Sequence, residues 1–243
     1  MSRTEVLLWI VVPYAALTTF VVGHVWRWRR DQLTWTTRST QLLESTWLKR
    51  GVILFHVGLL AVIGGHVLGL LVPASATEAV GVDEHLYHTV SVTAGTIAGV
   101  AMSLGLVILV ARRVSVPRVR RTTSRSDHLT YTVLLIVVAT GMVCTVGENL
   151  IAGGYDYRET VAPWFRGLFL LDPDVAGIAS APLVYQLHAL ATMALYALWP
   201  FSRLVHAWSA PVGYLVRANV IYRRRAPARR APRLRRPAHD VRG

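Results

Sequence analysis

Between the basic pair Lys49–Arg50 and Pro73 the chain runs for more than twenty residues without a charged side chain: GVILFHVGLLAVIGGHVLGLLVP. At about 1.5 Å of rise per residue, a helix of that length crosses the roughly 30 Å hydrocarbon core of a bilayer. Inside it stand two histidines, His56 and His66, with Gly58, Gly64, Gly65 and Gly69 around them. A polar side chain at membrane depth is costly and needs a partner, which makes each of these histidines a candidate functional group.

The rest of the chain follows the same pattern. Apolar blocks at about 5–26, 51–72, 86–111, 128–148 and 182–206 predict five transmembrane helices, an all-α integral membrane fold. The first block has only Arg3 ahead of it, exceeds a usual signal core and ends at Arg27 with no small-x-small cleavage site, so a retained span is expected; Pro13 is tolerable there. A formal charge of +13 suits nucleic-acid binding in a soluble protein, but here the basic residues lie mostly in connections and tail. Membrane topology and anionic lipid account for them better, and no nucleic acid partner is expected. A single cysteine, Cys144, excludes an internal disulfide and a cysteine-held iron–sulfur cluster.

Charge in the connections orients the helices. Six basic residues lie in 27–50, none in 73–85, six in 112–127, two against four acids in 149–181, and ten after 206. That alternation predicts the N-terminus outside and the C-terminus in the cytoplasm. Within 149–181, PWFRGLFLL reads as a short amphipathic stretch for the interface. The expected division is a transmembrane domain over 1–222 and a disordered Arg/Pro/Ala-rich cytoplasmic tail over 223–243.

Of nine histidines, His24, His128 and His239 fall at edges or in the tail and read as interfacial or solvated. His85 and His88 open the third span on the outer side, and four remain at depth. The second and fifth helices run in opposite directions, so depth pairs His66 with His188 on the outer half and His56 with His206 on the inner half. Facing imidazoles at matched depth suit bis-histidine ligation of haem iron, and nearby glycines would let a flat macrocycle approach. Interhelical hydrogen bonding, a metal site or a proton relay would use the same residues. The spacing is uneven: ten residues separate the pair on the second helix, about 15 Å of rise, and eighteen the pair on the fifth, about 27 Å. Tilt, or a kink at Pro200, must absorb the difference. The spacings Gly65/Gly69 and Gly95/Gly99 read as helix-packing features.

FHVGLLAVIGGHVLGLLVP, PRVRRTT after the third span and WPFSRLVHAWSAPVGYLVR at 199–217 together resemble the gamma subunit of respiratory nitrate reductase, over about residues 5–222. The resemblance implies a five-helix di-haem b bundle, a multi-pass protein of the cell membrane. Its two b haems would be a distal one on His66 and His188 and a proximal one on His56 and His206. Quinol from the membrane pool would be oxidised beside the distal haem. Electrons would then pass to the proximal haem, to a cytoplasmic iron–sulfur beta subunit, and to a molybdenum alpha subunit that reduces nitrate. The family's quinol pocket also uses a lysine at the start of the third helix, whereas the one lysine here is Lys49. His85 and His88 stand nearby and, with Gly65 and His66, are the candidates for the quinol site. Arg112, Arg113 and Arg203 could neutralise haem propionates, although as cytoplasmic-side charges they also fit topology alone. Two other functions use the same residues: a related cytochrome b serving another cytoplasmic reductase, and a haem-free transporter with interhelical histidines.

Overall fold

A computed structural model describes residues 1–30 and 40–208. Helices account for the regular structure, and the described residues contain no strand. Four helices are long and apolar enough to cross a bilayer: α1 (Arg3–Arg30), α2 (Thr46–Leu71), α4 (Glu84–Ser115) and α6 (Arg125–Ile151). Shorter helices lie between and after them: α3 (Ala74–Glu78), α5 (Pro117–Arg120), α7 (Val161–Leu170), α8 (Val175–Ser180) and α9 (Leu183–Leu198). Leu60, Ile97, Leu104 and Leu150 on the long helices are exposed, an apolar exterior suited to lipid.

Each long helix extends beyond its apolar block because polar residues cap it. Asp83 accepts from the Leu86 N–H at 2.7 Å to start α4, and Ser124 and Asp127 form a reciprocal capping box at the start of α6. In α1, Pro13 has no N–H to give the carbonyl of Trp9, four residues back. The Trp164 indole N–H of α7 donates to that carbonyl instead, at 3.0 Å, and the two tryptophans meet edge to face. The PWFRGLFLL stretch is thus helical, with Trp164 and Leu168 in the core and Phe169 and Leu170 exposed.

The helices neighbour one another in the order α1–α9–α6–α4–α2. The tightest crossing is α2 on α4. A Cβ on Gly58 would lie 2.5 Å from the Met102 nitrogen, and one on Gly105 would lie 2.3 Å from that of Phe55. A Cβ on Gly51 would lie 2.9 Å from the Leu109 side chain. This seam differs from the GxxxG spacings singled out in the sequence. Gly69 and Gly99 do pack closely, against Tyr157 and Met142, but a Cβ on Gly65 would meet nothing within 4 Å. Gly58, expected to leave room for a macrocycle, is spent on helix packing.

The fifth apolar block departs from a single span. Its α-helix, α9, has 16 residues and stops at Leu198. Pro200 cannot continue the ladder, and two 3₁₀ turns, Trp199–Phe201 and Arg203–Ala207, follow with extended backbone at Ser202 between them. Trp199 reaches over this segment to donate from its indole N–H to the Leu204 carbonyl at 2.8 Å. Pro200 itself is buried against Gly23 of α1, and its carbonyl accepts from Arg27 at 2.9 Å. The basic tail expected over 223–243, and the domain boundary at 222, lie outside the described residues.

Candidate functional site

The unequal histidine spacing resolves at Pro200. From His188 to the end of α9 is ten residues of helix, the same as the separation of His56 from His66 on α2. The remaining residues turn as 3₁₀ structure rather than adding rise along the same axis, and they carry His206 back toward α2. The rings of His66 and His188 lie with centres 6.1 Å apart and planes inclined by 36°. Those of His56 and His206 lie 5.9 Å apart, inclined by 65°.

Local hydrogen bonds set the chemistry of the four rings. His56 Nδ1 lies 2.9 Å from the Val52 carbonyl, His66 Nδ1 2.8 Å from Val62 and His206 Nδ1 2.7 Å from Arg203. A carbonyl can only accept, so each of these Nδ1 atoms carries a proton, and in the neutral form of the ring the bare lone pair is then the one on Nε2. His188 Nδ1 lies 3.0 Å from the Thr140 hydroxyl. An imidazole fixed through Nδ1–H and open at Nε2 is the usual arrangement of a metal ligand.

Each pair offers two donors, and among the described residues no third His, Cys, Asp or Glu completes a metal-binding group. A structural zinc site requires four ligands and a catalytic one three from the protein. Two opposed nitrogens suit a metal whose other ligands come with a cofactor. An ion held between two imidazole nitrogens at about 2 Å each, with the ring centre about 1 Å further back on either side, places the ring centres about 6 Å apart. Both pairs meet that distance. Space supports the same use: a Cβ on Gly64 or Gly65, beside His66, would contact nothing within 4 Å.

The arginines are held by protein partners. Arg112 is 2% exposed, and its guanidinium donates to the Thr40 hydroxyl and carbonyl and to the Glu44 carboxylate and carbonyl at 2.6–3.0 Å. A propionate would have to displace them. Burial works to raise the Glu44 pKa, but hydrogen bonds from the Trp47 N–H, Arg112 and the Leu48 N–H together hold it below its ordinary value. Arg203 forks onto buried Asp127, and Arg113 lies 3.7 Å from the same carboxylate.

His85 and His88 line an open cleft of about 240 Å³ with Glu84, Gly153, Gly154, Tyr155 and Asp156. His85 is exposed, while the buried His88 Nε2 has no hydrogen-bond partner. Gly154, at φ 99°, passes directly over that ring; a Cβ there would lie 3.1 Å from Nε2. His24 bonds the Phe20 carbonyl and stacks edge-on with Phe20 and Trp208, and His128 is exposed.

Sequence reasoning missed a network beside the His66–His188 pair. The hydroxyls of Tyr87 and Tyr157 lie 3.0 Å apart against Gly69, three residues beyond His66. Arg158 sits over the Tyr87 ring at 3.9 Å, 3.2 Å from Glu84 and 3.0 Å from the Thr77 hydroxyl. Burial, with the hydrogen bond to Tyr87, pushes the Tyr157 phenol well up, so it remains protonated. Arg158 was visible as one of two basic residues in an acidic connection, but nothing marked the tyrosines or Thr140.

Four apolar helices with histidines paired between α2 and the α9 segment define a multi-pass helical membrane protein. The family model for the nitrate reductase gamma subunit matches residues 5–225, and the chain belongs to that family. It is 44% identical over 220 residues to the nitrate reductase gamma chain of Bacillus subtilis (strain 168), covering 90% of this chain and 98% of that one. It is 32% identical over 216 residues to the respiratory nitrate reductase 1 gamma chain of Escherichia coli (strain K12), covering 88% and 95%. The nitrate reductase-like protein NarX of Mycobacterium tuberculosis (strain ATCC 25618 / H37Rv) is 46% identical over 220 residues, 90% of this chain but 34% of that longer protein.

Proposed function

We propose that this chain is the quinol-oxidising membrane subunit of a respiratory nitrate reductase in the cell membrane. His66 and His188 would hold a distal b haem, and His56 and His206 a proximal one. The observation that carries this is the pair of matched imidazole separations, 6.1 and 5.9 Å, with Nε2 left bare on the three rings whose Nδ1 meets a carbonyl. Bound haem would supply one-electron carriers at two depths. The α9 segment completes a fifth crossing in this account, with its 3₁₀ turns reaching the cytoplasmic level. The charge alternation supports an orientation with the N-terminus and the His66 end outside and the C-terminal tail, basic and suited to anionic lipid headgroups, in the cytoplasm.

Quinol oxidation takes place on the outer side, beside Gly65 and His66. Gly64 and Gly65 leave the helix surface open to a flat ring, and His85 and His88 in the neighbouring cleft accept the protons that leave with the electrons. An imidazole suits that transfer because its ordinary pKa lies close to neutral pH. Protons leave outside while electrons move inward, so the turnover separates charge across the membrane. The electrons serve an iron–sulfur subunit and a molybdenum subunit on the cytoplasmic side; the designation of the relatives as gamma chains of nitrate reductase supports a multi-subunit assembly. Arg112 and Arg203 anchor the cytoplasmic ends of α4 and the α9 segment, and Arg203, three residues before His206, is the candidate for a propionate.

Addition of a menaquinol analogue to membranes containing the complex should produce a reduced b-type absorption, and His66→Ala should abolish that quinol-driven reduction. Undiminished quinol oxidation in His66→Ala would overturn the assignment.

A further inference from the structure

Three of the four histidines are oriented by the backbone of their own segment, and one is not. His188 is met by α6: Thr140 Oγ1 lies 3.0 Å from Nδ1, and a Cβ on the adjacent Gly141 would lie 3.0 Å from Cε1. The Thr140 hydroxyl has one proton and three polar neighbours, the Ile136 carbonyl at 2.8 Å, the Val137 carbonyl at 3.1 Å and the His188 nitrogen. The two carbonyls can only accept; when the hydroxyl proton goes to one of them, a lone pair of the same oxygen is left for the His188 Nδ1–H, the arrangement that a ring coordinating through Nε2 requires. The absent side chain at Gly141 lets the ring lie flat against α6.

We propose that Thr140 and Gly141 form a seat on α6 that hydrogen-bonds His188 and sets its plane, making Thr140 a positioning residue that tunes this one ligand. The inference rests on the haem reading given above. An acceptor on Nδ1–H raises the basicity of the coordinating nitrogen, and a more basic ligand favours the oxidised, more highly charged iron. Removing the acceptor therefore raises the reduction potential of the site His188 serves. A hydroxyl can also reverse its role, which a carbonyl cannot; His188 is the one ring of the four whose Nδ1 meets a side-chain hydroxyl, and the Val137 carbonyl of α6 is a further acceptor for it.

The test is a redox titration of b-type absorbance in membranes carrying the assembled complex, with wild type, Thr140→Val, Thr140→Ser and Gly141→Ala. Wild type should titrate as two components, assigned by which one disappears in His66→Ala and which in His56→Ala. Thr140→Val should move the His66-dependent component alone to higher potential, or lose it alone. Thr140→Ser, which keeps the acceptor, should restore the wild-type curve. Gly141→Ala should alter the same component's low-temperature magnetic resonance signal by turning the ring. An unmoved pair of components, a shift in the His56-dependent component, or equal effects of Val and Ser would each overturn the role of Thr140 while leaving two haems in place. Absence of any b absorbance in wild type would overturn the haem reading itself and the proposal with it.

Discussion

The His66–His188 and His56–His206 pairs reach nearly the same ring separation on different scaffolds. His66 and His188 both stand on regular α-helix, and the second is steadied by a side chain of α6. His56 also stands on α2, but His206 sits in a 3₁₀ turn beyond Pro200. That turn is held by the fork of Arg203 onto Asp127, by the Trp199 indole on Leu204 and by Arg27 on the Pro200 carbonyl. Because the Arg203 carbonyl is the acceptor for His206 Nδ1, the ion pair acts on the ring through one residue of backbone. One pair depends on helix packing, and the other on a buried carboxylate.

The difference can be broken from either side. The largest effect is expected for Asp127→Ala. Its carboxylate is 3% exposed and faces Arg203 and Arg113, and removing one partner of such a buried cluster costs about 3–5 kcal/mol. Thermal unfolding in detergent should show that loss, and any b absorbance that remains should lack the His206-dependent component first. Equal loss of both components would mean that the two pairs share one scaffold after all.

A smaller effect on stability, aimed at the other pair, is expected for Gly65→Ala. Nothing lies within 4 Å of the added methyl, and alanine is the better helix former, so unfolding should change by less than about 1 kcal/mol or improve. Quinol-driven reduction should nevertheless fall, because the methyl occupies the open surface beside His66. Unchanged quinol kinetics would remove Gly65 from the site.

The smallest effect concerns Glu44, which closes the connection between α1 and α2 onto Arg112. Its pKa in the folded chain lies below the ordinary 4.5, so its contribution to stability is present above that value and is lost as pH falls through the lower, folded value. Glu44→Gln should flatten the acid limb of a stability–pH curve below pH 4.5 and leave both histidine pairs unaffected. An unchanged acid limb would show that the Glu44 carboxylate adds nothing to the hold of Thr40 and the Glu44 carbonyl on Arg112.

Long apolar blocks and connection charges made the helices readable, because lipid imposes a coarse rule on every residue that faces it. The depth pairing was legible for the same reason: antiparallel spans fix which histidines lie at equal height. What escaped was everything that depends on tertiary approach. Gly51, Gly58 and Gly105 carry the α2–α4 crossing, but their spacing does not stand out from that of Gly65 and Gly69. Thr140 and the Tyr87–Tyr157 pair are common residues in apolar or loop context until the fold brings α6 to His188 and the 149–181 connection to Gly69. For the fifth block the sequence offered a kink at Pro200 but not its form, because the apolar composition continues past Pro200 while the α-helix gives way to 3₁₀ turns.

The central claim is that four histidines act as two specific pairs. Its most direct test is haem quantification with a dithionite-reduced-minus-oxidised spectrum for each single His→Ala variant in the assembled complex. The account predicts two b haems in the wild type, with His66→Ala and His188→Ala losing the same one and His56→Ala and His206→Ala losing the other. A wild type without b absorbance, or losses that group His66 with His206, would contradict it.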